Sequence, residues 1–302
     1  MGRRRLAPEA GRCNNKMIPG FDCYSGYGQI NFNVAREAGY RFVWVKCQEG
    51  NTGKDGSYER NVQRARDAGL AVGAYHFAFP LPTDPAHPSR DPNDQAQLYF
   101  NACKGLGSEP GDLSPALDLE WPAPQDWAKW GCTPQQISDW GRACCVAMAQ
   151  LWGRLPVIYT YPHWWKTLAQ GADVSWASDY PLWFADYSWP QIGHPPLGWM
   201  PPHLSWVQDT WNDWAACQHS ADGSTARVPG VPVSPVDRNV IKDEATLLRL
   251  TGRSPSVMPV SAPIVADLVP TVPDLGNPPS APPQDFHRFD EALEALRRNR
   301  DD

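Results

Sequence analysis

What this sequence lacks narrows it first. No stretch of its 302 residues is apolar over the ~20 positions that a membrane-spanning helix requires, so membrane insertion is not expected. Arg3, Arg4 and Arg5 are followed by no apolar core of a secretory leader, which argues against Sec export. If the protein acts outside a cell, something other than a Sec leader is expected to deliver it. Positive charge is not in excess: 27 Lys and Arg against 33 Asp and Glu give a net charge of −6, a poor match to nucleic acid. The eight cysteines form no CxxC pair and no zinc-like spacing, and several lie in apolar runs such as Val45-Lys46-Cys47. Mostly reduced, structural thiols are expected, with no metal and no cofactor.

Aromatic residues, by contrast, are abundant. Fifteen Trp and 10 Tyr fit a cleft that stacks flat, partly apolar rings such as sugars, and they fit a bulky core equally well. Short apolar and β-branched runs alternate with helical ones. Strands are read at Met17–Asp22, Tyr40–Lys46, Leu70–Phe77, around Leu117, at Leu155–Tyr161, Pro181–Tyr187, Trp214–Gln218 and Val236–Ile241. Helices are read at Asn33–Gly39, Tyr58–Gly69, Asn93 (as cap)–Lys104 and from Thr133-Pro134 to about Trp152. Alternation of this kind predicts parallel pairing with helices outside, and eight strands over 17–252 suit a closed α/β barrel. Residues 1–16 read as a loose arm. Nine prolines mark 253–285 as an extended linker. In 286–302, Phe286, Phe289, Leu293 and Leu296 share one helical stripe. That short amphipathic helix would pack on the barrel, or dock to another copy or a larger assembly.

The chemistry concentrates in Ser114–Pro122, where Asp118 and Glu120 stand two apart on a strand bounded by prolines. Residues two apart on a strand face the same side, ~6.6 Å apart. Two carboxylates so placed serve acid/base chemistry, or are solvated acids where a strand enters a loop. In a parallel barrel the chemistry sits at the C-terminal strand ends. Asp22, Glu49, His76, Asp118, Glu120 and Asp186 all fall there. Tyr75, Tyr159, Trp183 and Tyr187 are candidates for stacking on a sugar, or for plain packing. His76 reads as a hydrogen-bonded strand-end residue rather than a metal ligand, since no His or Cys stands at ligand spacing from it.

Eight segments in order, from about residue 17 to 245, resemble glycoside hydrolase family 25, the lysozymes (N-acetylmuramidases) common among bacteriophage and bacterial wall-lytic enzymes. They are Gly20-Phe21-Asp22; Phe42–Lys46 with Glu49-Gly50; Asn61 with Ala68-Gly69-Leu70; Gly73–Phe77; Leu117–Glu120; Val157–Thr160; Leu182–Tyr187; and Gly230-Val231-Pro232 with Val236–Val240. The resemblance implies a TIM-like (β/α)5(β)3 barrel. It also implies a bacterial peptidoglycan substrate, cut at the β-1,4 bond between N-acetylmuramic acid and N-acetylglucosamine. By position, Glu120 would be the general acid/base, Asp118 its partner carboxylate, and Asp22 and Asp237 supporting acids; Glu49, Tyr75, His76, Tyr159, Trp183, Asp186 and Tyr187 would line the substrate site. Asp118 could stabilise an oxocarbenium ion, attack it, or orient the substrate's own N-acetyl group. The chain departs from the family pattern at Cys217 before Gln218, at Cys23-Tyr24-Ser25-Gly26 and in the Pro/Trp-rich 188–210. A non-catalytic wall-binding or virion component retaining the barrel is the competing expectation, and a phage endolysin or virion-associated lysin the favoured one.

Overall fold

The computed structural model describes residues 17–253, except 52, 83–90, 190–193, 196–198 and 222–226. The expectations for 1–16, for most of 253–285 and for 286–302 thus lie outside the described residues. Among the described residues nine strands form one sheet: β1 Ile18–Cys23, β2 Phe42–Glu49, β3 Gly53–Lys54, β4 Ala71–Phe77, β5 Ala116–Asp118, β6 Val157–Thr160, β7 Leu182–Ala185, β8 Ala216–Ser220 and β9 Arg238–Ile241. The order is β1-β9-β8-β7-β6-β5-β4-β2-β3, and β1 also pairs with β2, so eight strands close a barrel and β3 hangs from β2 as a hairpin arm.

Helices α1 Phe32–Glu37, α2 Tyr58–Asp67, α3 Pro92–Cys103, α4 Pro134–Trp152 and α5 Pro162–Gly171 each follow a barrel strand; α6 Glu244–Leu250 follows β9. This is the (β/α)5(β)3 arrangement. Pairing is parallel from β1 through β2, β4, β5, β6 and β7 to β8. β9 corrects the expectation of parallel pairing, because it runs antiparallel to both β8 and β1. No helix lies between β8 and β9 among the described residues, and antiparallel neighbours, unlike parallel ones, need no long crossover.

The register sorts side chains to one face or the other. Ile18, Gly20 and Asp22 alternate with Pro19, Phe21 and Cys23 on β1, and Gly20 pairs with Phe42, Asp22 with Trp44. Followed round the barrel, the inward set is Asp22, Trp44, Tyr75, Phe77, Asp118, Tyr159, Trp183, Ala185, Gln218 and Asn239. Trp44 and Trp183 stack at 4.4 Å between ring centres and fill the middle of the barrel. Small residues opposite make room. A Cβ on Gly20 would lie 2.4 Å from the Phe42 ring, and one on Gly73 2.5 Å from Trp44. Ile18, Phe42, Val157 and Ile241 lie in one buried cluster with Leu247 and Leu250 of α6, so α6 plugs the end away from the C-terminal strand ends.

Local signals explain the helices. Thr133 caps α4 through a reciprocal box: its Oγ1 accepts from Gln136 N (3.2 Å), and Gln136 Oε1 accepts from Thr133 N (2.9 Å), with Pro134 in the first turn. The cap of α3 is Asp91, not Asn93 as expected. Its Oδ1 accepts from the backbone N of Asn93 (2.8 Å) and of Asp94 (3.3 Å), and Pro92 occupies the first turn. The short helices α5 and α6 were not among those read directly from residue patterning. α5 starts at Tyr161 with no side-chain cap, and its two adjacent Trp at 164 and 165 are both buried, which blurs its periodicity.

Candidate active site

The acids meet at the mouth formed by the C-terminal ends of the parallel strands. Asp22 ends the inward row of β1 and is buried. Its Oδ1 accepts from Asn239 Nδ2 at 2.7 Å and from Gln218 Nε2 at 2.9 Å. Its backbone N–H donates to the carbonyl of Asp237 at 3.1 Å, which ties the start of β9 to the end of β1. Burial, then the charge of Asp237, push the Asp22 carboxyl well above the usual range; the two amides oppose this, and Glu120 adds to it. Asp118 closes β5 and is buried, with Tyr159 beside it on β6 and Phe77 on β4. Glu120 lies two residues past Asp118. β5 ends earlier than expected, so Glu120 stands in the loop above the strand and is half-buried.

Tyr75 marks the centre of this cluster. Burial and the charges of Asp22, Asp118 and Asp237 together raise its phenol well above the ordinary value. One side chain therefore senses acids from β1, from β5 and from the approach to β9. Tyr27 reinforces the same point from the short 3-10 turn Ser25–Tyr27, where its hydroxyl donates to Asp237 Oδ2 at 2.9 Å. That turn belongs to the loop that departs from the family pattern; Ser25 N is held in it by Asp55 Oδ2 at 2.8 Å.

The aromatic candidates divide. Trp183 is buried and stacked on Trp44, so it forms the floor and not a platform; its Nε1 donates to Asn239 Oδ1 at 2.8 Å. Tyr159 is also buried, edge-on to Trp183 at 4.6 Å, and its hydroxyl donates to Gln218 Oε1 at 2.8 Å. Tyr187, half-buried above the end of β7, donates to the same oxygen at 2.5 Å. Glu49 pairs with Lys46, whose ammonium lies 5.1 Å from the Phe77 ring centre, so both stand on the inward side at the rim.

Two expected site residues point elsewhere. His76 alternates with inward Tyr75 and Phe77, so it faces α3, where it bonds Gln95 Oε1 at 3.1 Å and stacks on Tyr99. Asp186 follows inward Ala185 and so faces out. It accepts from the backbone N of His203 at 2.9 Å and of Ser188 at 3.1 Å, and it meets His203 Nδ1 at 3.1 Å. Asp186 thereby anchors the 3-10 turn Pro202–Trp206 of the loop after β7. In both cases strand alternation overrides mere position at a strand end. Gln218, Asn239 and Tyr27 belong to the cluster and were not singled out from the sequence. A polar residue on the inward row of a buried strand was the available signal for the first two, since such a group must find partners.

No group of three or more metal-ligating side chains occurs among the described residues, and no helix among them is long and apolar enough to cross a membrane. The seven described cysteines are free and buried.

The model of glycosyl hydrolases family 25 matches residues 21–228, a span holding Asp22, Asp118 and Glu120 and ending short of Asp237. The chain is 30% identical over 174 residues to the autolytic lysozyme of Clostridium acetobutylicum, covering 56% of this chain and 45% of that protein. It is 28% identical over 238 residues to lysozyme M1 of Streptomyces globisporus, covering 79% and 72% respectively. The chain thus spans about half the length of the first relative and most of the second. The solved bacterial lysozyme of Streptomyces coelicolor superposes with a TM-score of 0.61 at 26% identity, covering 78% of this chain and 98% of that one.

Proposed function

The chain belongs to glycosyl hydrolases family 25, and on that premise we propose that it is a lysozyme cutting the β-1,4 bond between N-acetylmuramic acid and N-acetylglucosamine in bacterial peptidoglycan. The observation that carries the reading is the convergence of acids from β1, from β5 and from the lead-in to β9 on Tyr75 at one mouth of the barrel. Such crowding of carboxyls in a partly dry cleft is costly for folding and useful for moving protons.

In this reading Glu120 is the general acid/base. It is half-buried at the rim, where a glycosidic oxygen can reach it and take its proton. Asp118, one pleat deeper and buried, stabilises positive charge on the anomeric carbon or orients the substrate's N-acetyl oxygen for attack. Asp22 and Asp237 shape the field around them. Lys46 and Glu49 stand at the rim, and Tyr187 beside the cleft is the aromatic best placed to touch a sugar. An endolysin or virion-associated lysin of a phage is the setting we favour, acting from a host cytoplasm or a particle on the wall.

Glu120→Gln keeps shape and removes the proton. We expect purified walls to lose turbidity at least ~10²–10⁴-fold more slowly, with wall binding retained. Counting new reducing ends beside the turbidity separates hydrolysis from mere binding. Near-normal release of reducing ends by Glu120→Gln would remove Glu120 from the mechanism. Wild-type protein that binds walls and releases none would make the barrel a wall-binding component.

A further inference from the structure

The polar groups beneath the acids form a directed chain. A carboxamide has an oxygen and a nitrogen of nearly equal size, so its orientation is settled only by its partners. Asn239 has a decisive one: Trp183 Nε1–H can only donate, and it donates to Asn239 Oδ1 at 2.8 Å. The Asn239 NH2 must then face the other way, where it meets Asp22 Oδ1 at 2.7 Å. Gln218 repeats the arrangement. Its Oε1 accepts from the hydroxyls of Tyr159 (2.8 Å) and Tyr187 (2.5 Å), and its NH2 meets the same Asp22 oxygen at 2.9 Å. Two N–H donors thus end on one carboxylate oxygen, and the carboxyl plane is fixed.

We propose that Trp183, Tyr159 and Tyr187 are positioning residues for the acid cluster, acting through the carboxamides of Asn239 and Gln218 to set which oxygen of Asp22 accepts and which is left for a proton or the substrate. Oδ1 is occupied by two donors, so a proton taken up by Asp22 resides on Oδ2. Flipping either amide would set oxygen against oxygen at under 3 Å and remove a donor that favours the ionised form. The groups that bear on Asp22 are Asp237 before β9, Glu120 after β5, Tyr27, Tyr75 and the adjacent Cys23 thiol. Against these the two amides are the opposing influence, and the relay makes that influence permanent. The aromatic rings read from the sequence as sugar platforms, Trp183 and Tyr159, thereby act at one remove from the substrate. The kinetic part of this inference rests on the hydrolytic reading above; the part concerning Asp22 does not.

Two variants of the full chain test it. Trp183→Phe removes the indole N–H and leaves a ring against Trp44, and the double variant Tyr159→Phe/Tyr187→Phe removes both hydroxyls without changing ring packing. The titration of Asp22 is followed by carboxyl 13C NMR on aspartate-labelled protein, with Asp22→Asn assigning the resonance. The Asp22 midpoint is expected to move up by about one pH unit in each variant, the size of one lost hydrogen bond to a charged group. On purified walls, kcat is expected to fall roughly tenfold with KM within about twofold, and the acid limb of the pH–rate profile to move upward with the midpoint. An unmoved Asp22 midpoint in both variants overturns the proposal. So does a lower kcat with an unmoved acid limb, which is the mark of packing alone. If Trp183→Phe fails to fold, the double tyrosine variant decides. If the wild-type protein releases no reducing ends, the hydrolytic reading falls and the NMR titration alone judges the relay.

Discussion

At the scale of single residues, space inside the barrel is as decisive as charge. Gly73 faces Trp44 across the β2–β4 pair, and an added methyl would lie 2.5 Å from the indole Cδ1 and 2.9 Å from Leu113 Cβ. Its φ is ordinary, so the cost of Gly73→Ala is overpacking and not backbone strain. Trp44 stacks on Trp183, and Trp183 orients Asn239, so the disturbance reaches Asp22 through packed neighbours. We expect Gly73→Ala to cost about 1–3 kcal/mol, with a fall in Tm of about 2–4 °C per kcal/mol, readable by thermal unfolding. An unchanged Tm would mean that Trp44 has room to move aside.

At the scale of elements, α4 is the helix whose beginning is most fully written into local sequence. Thr133, Pro134 and Gln136 supply cap, first-turn proline and box partner, and the stripe Ile137, Trp140, Cys144, Met148 and Trp152 is buried. The cap residue lies at the surface, so its loss is not confounded by a cavity. Thr133→Ala is expected to destabilise by about 1 kcal/mol, while Thr133→Ser or Thr133→Asp retains the stability. Chemical denaturation with an unchanged m-value would report this cleanly. The strand β9 teaches the opposite lesson. Nothing in Arg238–Ile241 marks its direction; it runs antiparallel to β8, a pairing that needs no crossover helix, and none lies between the two strands among the described residues.

At the scale of the whole molecule, buried titratable groups make stability depend on pH. Burial lowers His76 to about 4, His194 to about 4 and His219 to about 2. In each case the unfolded chain binds the proton more tightly than the folded one. Stability is therefore complete above the unfolded histidine value near 6.5 and is lost as pH falls toward 4. Asp22 has the opposite sign. Its carboxyl is raised by burial and by Asp237, so acid relieves a cost present at neutral pH. Three histidines outnumber the two raised aspartates, Asp22 and Asp94, and Tm should fall by several degrees between pH 7 and pH 4.5. Asp22→Asn, which removes the relief, should steepen that fall. A wild-type Tm that rises over the same interval would mean that the carboxyls dominate.

Much of the fold was legible because it depends on short-range rules: alternating strands and helices, glycine stops, and the Thr133-Pro134 start each declare themselves within a few residues. Asp118 was legible for the same reason, and Glu120 was named with it by strand alternation, although the strand ends at Asp118 and Glu120 stands in the loop above. The sequence could not rank polar residues at strand ends. His76 and Asp186 stand at the same depth as Tyr75 and Asp22, and only the register sends them outward to Gln95 and His203. Nor could it find the relay, whose partners are 59 residues apart between Tyr159 and Gln218 and 217 apart between Asp22 and Asn239. Local patterning determined most of the elements and put Asp22 and Asp118 at strand ends. Tertiary structure decided which face each side chain took and which amide met which carboxylate, because those choices depend on closure of the sheet, where the first strand β1 pairs with the last, β9, a contact that no local stretch encodes.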